Sequence, residues 1–418
     1  MVDAAVAAAV ADAHRREWAF VLAATVRLTR DLDLAEECAQ DAFAQALAAW
    51  PQSGVPVRPA AWLTTVARRR ALDLLRRETV WRRSLPLLID DDVTPSPEDV
   101  VVAEGEIPDD RLRLICTCCH PALAREAQVA LTLRLVCGLT TAEVARAFLV
   151  TEPTMAARLT RAKKKIGDAR IPYRVPPAAD LPERIDAVLD VVHLLFTTGH
   201  TAPVGADLVR RDLVERSLDL ARMLRLLLPA DADVAGLLAL ILLTDARRAT
   251  RVDADGRLLL LEEQDRTKWD GAEIAEGATL VREALRRRPP GRFALQAAIA
   301  AVHAESPSWG DTDWREIAAL YDVLAQVWPS PVVALNRAVA IGLAAGPGAG
   351  LDALDALADE PQLAGYAYAA AARADFLRRL GRTEEARTSY EEALLLTDNA
   401  VEREFLDRRL KQLAERVE

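Results

Sequence analysis

Apolar side chains recur three and four residues apart over most of the chain, which is the spacing of one face of an α-helix. In residues 4–30 this stripe includes Trp18 and Leu22, and in residues 31–50 it includes Phe43. Alanine, leucine and arginine dominate the composition while aromatic residues make up only 5%, which favours helices over strands. The pattern therefore predicts an all-α fold.

Residues 139–166 predict two short helices with a sharp turn near Val150. Thr141 and Thr151 are the expected N-caps, and Pro153 is tolerated in the first turn of the second helix because no intrahelical N–H is needed there. The apolar positions that share the inner faces are Val144, Ala147, Phe148, Met155, Leu159 and Ile166. This arrangement is typical of a helix-turn-helix.

The outer side of the second helix is polar near its start and basic near its end. A helix of this kind suits the major groove, because polar tips read base edges while basic side chains hold phosphates. The side chains expected on this side are Thr154, Arg158, Arg161, Lys163, Lys164 and Lys165. The alternative interpretation is an ordinary helical hairpin with a solvated basic end.

Charge is unevenly distributed along the 418 residues, although the net charge of −10 argues against nonspecific coating of nucleic acid by the whole surface. Basic residues cluster at 68–83 and 158–165, whereas residues 84–110 contain nine acidic residues and no Lys or Arg. We therefore expect two basic modules joined by a flexible acidic linker. No apolar run approaches the length of a membrane span, and the first residues lack a basic region before their apolar stretch, which together predict a cytoplasmic protein.

Three consecutive segments precede the acidic linker. Residues 31–50 predict a helix with one acidic face, and residues 51–59, PQSGVPVRP, predict a loop. Residues 60–78 predict a helix with an apolar stripe and many arginines. Because a second basic module follows, we interpret this arginine-rich surface as one that tracks phosphates, the alternative being a merely solvated face.

The order of these elements resembles bacterial sigma factors of the extracytoplasmic-function (ECF) type. The resemblance is carried by DLAEECAQDAFAQALAAW, the proline-rich loop, a Trp-Leu-Thr-x-x-Ala-Arg helix ending in Asp-Leu-Leu-Arg-Arg, the acidic linker and the helix-turn-helix. It covers about the first 170 residues, and the ordered set is specific although each motif alone is degenerate. It implies sigma domain 2 at residues 1–83, the linker at 84–110 and sigma domain 4 at 111–172.

The resemblance also implies the partners and the residues that contact them. The partners are core RNA polymerase, through its β′ clamp and β flap, and promoter DNA. The residues implied for polymerase docking are Asp33, Glu36, Glu37, Gln40 and Asp41. Those implied for the −10 element are Arg58, Trp62, Thr65, Arg68, Arg69, Arg70, Asp73, Arg76 and Arg77. Those implied for the −35 element are Thr141, Thr151, Glu152, Thr154, Met155, Arg158, Arg161, Lys163, Lys164 and Lys165. The 51–59 loop, which contains no aromatic residue to stack on a base, is implied to capture a flipped base.

A group of cysteines precedes the helix-turn-helix: Cys116, Cys118, Cys119 and His120, with Cys137 further along. Four positions so close on one short helix cannot all turn towards one tetrahedral zinc ion. We expect these thiols to act as small buried apolar groups, with a redox-sensing pair as an alternative. No metal or other cofactor is predicted.

Residues 173–418 predict a large C-terminal domain that is almost entirely helical. One break, residues 250–261, has Asp255-Gly256 at a turn and predicts a short β-hairpin. Near the end, Gly381, Ala386, Tyr390 and Ala393 match the small and aromatic positions of a tetratricopeptide repeat, and residues 331–357 look like a weaker copy. The chain thus resembles the ECF subgroup with a tetratricopeptide-like extension, whose implied partner is a small YCII-related (DGPF) protein.

Two polar clusters remain in the extension. One surrounds His193 and His200, and the other combines Asp245, Arg247 and Arg248 with residues 262–269. Since nothing in the sequence orders them into a pocket, we expect a salt-bridge network or a partner contact and no enzyme. The hypothesis is that the protein is a sigma factor and that its C-terminal domain modulates its activity. The alternatives are a one-component ligand-sensing regulator and a scaffold with a vestigial sigma part.

Overall fold

The computed structural model describes residues 4–84, 110–148, 150–177, 179–202 and 204–415. The predicted all-α fold is confirmed, with eighteen α-helices in this part of the chain. The chain divides into two compact units, Met1–Val191 and Val192–Glu418. Apart from its two end residues, the predicted acidic linker at 84–110 lies outside the described residues.

The described residues of the first unit form seven helices and the start of an eighth. They are α1 (Ala4–Thr29), α2 (Leu32–Ser53), α3 (Pro59–Ser84), α4 (Asp110–Cys118), α5 (Arg125–Leu131), α6 (Thr141–Ala147), α7 (Glu152–Asp168) and α8 (Leu181–His200), with a π-helical turn at Thr132–Val136. The first half of α8 packs in this unit, since Arg184 donates to the Cys116 carbonyl (2.9 Å) and Arg125 pairs with Asp190 (2.5 Å).

Helices α1, α2 and α3 form a three-helix bundle around a core that includes Leu22, Trp50 and Leu63. Asp31 caps α2 by accepting hydrogen bonds from two backbone N–H groups of its first turn. The predicted loop at 51–59 is shorter than expected. Pro51 lies inside the last turn of α2, where its fixed φ suits the helix, and the chain leaves the helix at Gly54.

Helices α6 and α7 form the predicted helix-turn-helix. Thr151 caps α7 as predicted, by accepting a hydrogen bond from the Thr154 N–H. The predicted cap of α6 was one residue off. The Thr140 hydroxyl accepts from the Glu143 N–H, and the Glu143 carboxylate accepts from the Thr140 N–H, a reciprocal capping box with Thr-x-x-Glu spacing.

The described residues of the second unit form the rest of α8 and ten further helices. They are α9 (Arg211–Leu227), α10 (Ala232–Asp245), α11 (Gly271–Ala284), α12 (Arg292–Glu305), α13 (Trp314–Val327), α14 (Pro331–Ala345), α15 (Pro347–Asp355), α16 (Ala367–Arg379), α17 (Thr383–Leu396) and α18 (Ala400–Ala414). Helix α10 is apolar all round and buried, with α9, α11 and α12 packed against it. From α13 to α18 each helix packs on the next, as in a helical solenoid.

The tetratricopeptide-like positions have the predicted physical roles. Gly381 turns the chain between α16 and α17 with a φ of 75°, a left-handed value that favours glycine. Ala386 and Ala393 are fully buried where the helices approach closely, and Tyr390 is buried beside them.

The predicted β-hairpin at 250–261 is only a hairpin-like turn. Its single antiparallel bridge joins Val252 and Leu258. Instead, a parallel pair that the sequence did not predict joins β1 (Val204–Gly205) to β2 (Asp398–Asn399). The buried Asn399 amide donates to the Ala202 and Asp207 carbonyls at 2.9 and 3.0 Å, which fixes this pair in place. None of the described helices is long and apolar enough to cross a membrane.

Candidate nucleic-acid interface

The predicted polymerase-docking side chains lie together on α2, but they are not equally accessible. Asp33, Glu37 and Gln40 are exposed and Asp41 is partly exposed. The Glu36 side chain, in contrast, is only 8% exposed. This difference follows the helical repeat, because Glu36 shares a stripe with Phe43 and Trp50, spaced by seven residues, which are both buried.

Glu36 is buried because two basic side chains from the other predicted module reach it. Lys163 on α7 places its Nζ 2.7 Å from Glu36 Oε2 and 2.6 Å from Asp33 Oδ1. Arg134, from the π-helical turn, forms an ion pair with Glu36 and also donates to the Leu139 carbonyl (2.8 Å). Burial alone would lower the pKa of Lys163, but its hydrogen bonds to Asp33 and Glu36 outweigh this, so the pKa is raised.

A hydrogen bond and close packing of Trp18 reinforce the ion pairs. Trp18 on α1 donates from its indole Nε1 to the Leu135 carbonyl at 3.0 Å. Gly138, at a φ of 70°, lies so close that an added Cβ would stand 2.9 Å from the Trp18 ring. We call this set of contacts the clasp: Glu36 with Lys163 and Arg134, and Trp18 with Leu135 and Gly138. It holds the predicted polymerase-docking helix against the predicted DNA-reading helix.

The residues predicted to contact the −10 element lie on or just before α3. Arg58, Thr65, Arg69, Asp73, Arg76 and Arg77 are exposed, whereas Trp62, Arg68 and Arg70 are partly buried. Trp62 packs edge-on against Trp50, with ring centroids 5.7 Å apart. Arg70 pairs with Asp41 at 2.8 Å, so this arginine links α3 to the acidic face and is not a free phosphate contact in this conformation.

The residues predicted to contact the −35 element lie on α7 and its N-cap, apart from Thr141 on α6, and not all of them face solvent. Thr151, Glu152, Thr154, Arg161, Lys164 and Lys165 are exposed, and Thr141 and Arg158 are partly exposed. Met155 is fully buried, which agrees with its place in the inner apolar stripe and leaves no atom for DNA. Lys163 is not on the outer side where we expected it, because it lies four residues from Leu159 and three from Ile166 and therefore faces inward.

Two functional candidates were absent from the sequence-based set. Arg134 is one, since it closes the clasp on Glu36. Val57 is the other, because its side chain is fully exposed at the tip of the loop between α2 and α3. An exposed apolar side chain on a loop implied to capture a base is a candidate contact for that base. The sequence already shows that Val57 is apolar and lies in this loop.

The cysteine group is buried, as expected. Cys116, Cys118, Cys119 and Cys137 are all free thiols, and the Cys119 Sγ lies 3.5 Å from the Thr132 hydroxyl. Burial raises the pKa of Cys116 to about 12 and that of Cys119 to about 11, so both stay protonated at neutral pH. Among the described residues, no group of three or more His, Cys, Asp or Glu side chains is placed to hold a metal ion.

Three family models match parts of the chain. Residues 14–80 match the model of Sigma-70 region 2, and residues 114–166 match that of Sigma-70, region 4. Residues 184–285 match a family of unknown function, DUF6596. An uncharacterized protein of Rhizobium meliloti (strain 1021) is 42% identical over 396 residues, which cover 94% of this chain and 93% of that protein. No solved structure matches.

The bundle α1–α3 and the helix-turn-helix α6–α7 are thus the two promoter-recognition regions of a sigma-70 family protein. The chain belongs to the ECF-type sigma factors and carries a C-terminal extension that includes the DUF6596 region. It is a factor for promoter recognition in transcription initiation, and core RNA polymerase and promoter DNA are the partners of this family. Sigma-70 family proteins are initiation factors and not enzymes.

Proposed function

We propose that the protein docks on core polymerase through the acidic face of α2, contacts the −10 element through α3 and reads the −35 element through α7. The acidic carboxylates on α2 suit a basic partner surface. The exposed arginines of α3 and the exposed Thr154, Arg161 and Lys164 of α7 suit phosphates and base edges. This assignment follows the family and the exposure of these side chains.

The clasp supports a further part of the proposal, namely that the protein has a closed form that cannot dock. Lys163 and Glu36 contact each other, so neither side chain is available to a partner while this contact holds. The described conformation is therefore a closed one, and the two regions separate before α2 docks on polymerase and α7 enters DNA. Once one region has bound, the tether at 84–110 raises the effective concentration of the other.

The C-terminal unit is proposed to modulate this activity. Its solenoid and the hairpin-like turn line an open, mainly apolar pocket of about 320 Å³, whose lining includes Leu258, Leu343, Phe376 and Phe405. That volume and lining are those of a binding site, which supports a role for the unit in sensing a ligand or a partner. The small YCII-related (DGPF) partner stays a prediction from the resemblance.

The test is a double substitution on α7, Arg158→Ala with Arg161→Ala, in full-length protein. Neither side chain belongs to the clasp. We expect promoter-specific run-off transcription to be lost while binding to core polymerase persists, because the lost contacts are to DNA. The double variant Arg315→Ala with Arg373→Ala, on the C-terminal unit, is the control. If core binding vanished together with transcription, the assignment of α7 to DNA would be wrong.

Co-elution with core polymerase separates this function from the one-component regulator. A sigma factor co-elutes stoichiometrically and supports run-off transcription in a reconstituted holoenzyme. A regulator that binds an operator alone does neither, and a scaffold with a vestigial sigma part supports no transcription.

A further inference from the structure

The pocket of about 320 Å³ in the second unit lies on one side of the solenoid. Helices α14, α16 and α18 supply most of its lining, so every second helix contributes one face. On α16 the lining residues Ala367, Ala371, Asp375 and Arg379 recur four positions apart, which places them on one side of the helix. The pocket therefore lies on a surface that the three helices share, and solenoid proteins use such surfaces for binding.

The lining of the pocket combines small and large apolar side chains. Ala371 and Ala372 line it from α16, whereas Leu343 and Phe405 line it from α14 and α18. Protein interiors are otherwise closely packed, and an alanine leaves space that a longer side chain would fill. An accessible apolar surface with polar residues around it is typical of a ligand-binding site.

The hairpin-like turn forms one wall of the pocket. Leu258 and Leu260 line it from this turn. Arg408 on α18 donates to the Leu258 carbonyl (3.4 Å), and Arg257 forms an ion pair with Glu404 of α18 (3.5 Å). These contacts hold the turn beside α18, so the space left between the turn and the helices suits a compact molecule.

Most charged or polar side chains of the lining already have partners. Asp375 pairs with Arg379 at 2.6 Å. The Glu402 carboxylate accepts hydrogen bonds from the Tyr368 hydroxyl and, at 2.7 Å, from the Thr397 hydroxyl. A charged ligand would have to displace these contacts, whereas an uncharged apolar ligand leaves them intact.

The two remaining charged residues of the lining do not favour an anion either. The Arg409 guanidinium lies over the Phe405 ring, 5.1 Å from its centroid, and donates to the Gln412 side chain at 3.2 Å. Glu262 is exposed to solvent. Together, three carboxylates and two guanidinium groups line the pocket, so the lining carries no excess of positive charge.

We propose that this pocket binds a small, uncharged molecule with an apolar body. Its volume is within the range of small-molecule sites, roughly 300–1,000 Å³. A peptide is a poorer fit, because each of its residues brings an N–H and a carbonyl that need partners, and the polar side chains of the lining are largely engaged. The inference names the ligand class for the sensing role proposed above, and its regulatory meaning rests on that role.

The test is a fluorescence titration of the full-length protein with N-phenyl-1-naphthylamine, an uncharged probe that becomes brighter in apolar surroundings. We expect saturable binding at one site per chain. The absence of saturable binding would overturn the proposal. Because the titration contains neither polymerase nor DNA, its failure is distinct from a failure of the run-off assays that test the proposed function.

Two pocket variants and one control locate the probe. Ala372→Phe fills the space and is expected to weaken binding at least tenfold. Leu260→Ser removes apolar wall from the turn, outside the solenoid helices, and is expected to weaken binding severalfold, so it provides the measurement if the first variant fails to fold. Ala319→Phe, at an exposed position of α13 outside the pocket lining, is the control and should bind like wild type. Unchanged affinity in both pocket variants would refute the site.

Displacement of the bound probe tests the ligand class. The molecules tert-butylbenzene and phenyltrimethylammonium have nearly the same shape and differ in charge. We expect tert-butylbenzene to displace the probe at least ten times more effectively, and the anionic probe 8-anilinonaphthalene-1-sulfonate to bind at least tenfold more weakly than the uncharged one. Equal displacement by the cation, or equal binding of the anion, would overturn the uncharged class. Displacement by a peptide with the sequence of residues 257–262 but not by tert-butylbenzene would show a peptide groove and likewise overturn it.

Discussion

Replacing Lys163 by Met should open the clasp and strengthen binding to core polymerase. The Lys163 side chain is 13% exposed, so its contacts with Asp33 and Glu36 are largely shielded from water. Removing it does not leave Glu36 alone, because Arg134 still pairs with that carboxylate. The substitution therefore removes about 2 kcal/mol of stabilisation from the closed form. This is the value of a hydrogen bond between charged groups, and it is smaller than the cost of leaving a buried charge without a partner.

That energy sets the size of the expected effect. About 2 kcal/mol changes the ratio of closed to open forms roughly 30-fold. If only the open form binds polymerase, the apparent Kd equals the intrinsic Kd divided by the open fraction. The Kd of Lys163→Met should then fall by up to about 30-fold, the full factor applying when the closed form dominates. A titration of labelled full-length protein with core polymerase, without DNA, measures this.

Lys164→Met is the matched control, since Lys164 is the exposed neighbour on the same helix. Both variants lose one positive charge, so a general electrostatic effect on polymerase binding would appear in both. We expect Lys164→Met to bind like wild type. If Lys163→Met also bound no tighter than Lys164→Met, the conclusion that the clasp opposes docking would be refuted.

Three further predictions concern other parts of the molecule. The five free cysteines are buried, and a pKa of about 11 for Cys119 leaves roughly one thiolate per thousand at pH 8. Fewer than one thiol per chain should therefore react with a disulfide reagent before unfolding and five afterwards, and fast reaction of two or more would contradict this. Burial, then the charges of Asp245 and Asp270, raises the pKa of Glu273 to about 7, so the native state loses stability as pH rises from about 4.5 to 7. In urea unfolding, Glu273→Gln should be more stable than wild type by roughly 1–3 kcal/mol at pH 8 and equally stable at pH 4, whereas a gain at both would refute that cause. A chain that ends at Val191, where the first unit ends, should differ severalfold from the full chain in run-off transcription, and equal activity would exclude modulation by the C-terminal unit.

Much of the fold could be predicted from the sequence because amphipathic helices produce a periodic pattern of apolar residues. The stripes in the first three helices, the Thr151 cap and the small residues around Gly381 each depend on near neighbours, so local rules suffice. The same rules, applied more strictly, would also have corrected two errors. Thr140 and Glu143 have the spacing of a capping box, and Lys163 falls on the stripe of Leu159 and Ile166.

Other features depend on contacts that no local pattern encodes. The pairing of Lys163 with Glu36 joins residues 127 positions apart. Each residue lies on an apolar stripe, which indicates burial, but nothing identifies its partner. The bridge between β1 and β2 involves two residues on each side, too few for an alternating pattern to show. The exposure of the predicted DNA contacts likewise depends on how the two promoter-recognition regions pack against each other. The sequence therefore predicts the residue types, whereas the tertiary structure determines which side chains are exposed.

The β1–β2 pair has a consequence for how the protein is made. The Asn399 side chain bonds to the Ala202 carbonyl across 197 positions, so this contact closes one of the longest loops in the chain. During synthesis the residues up to Val191 leave the ribosome well before Asn399 exists. Since chains fold from the N-terminus as they emerge, the promoter-recognition regions are complete while the C-terminal unit is still open. A newly made molecule therefore passes through an interval in which its sigma regions are present without a finished C-terminal unit, and translation speed sets the length of that interval.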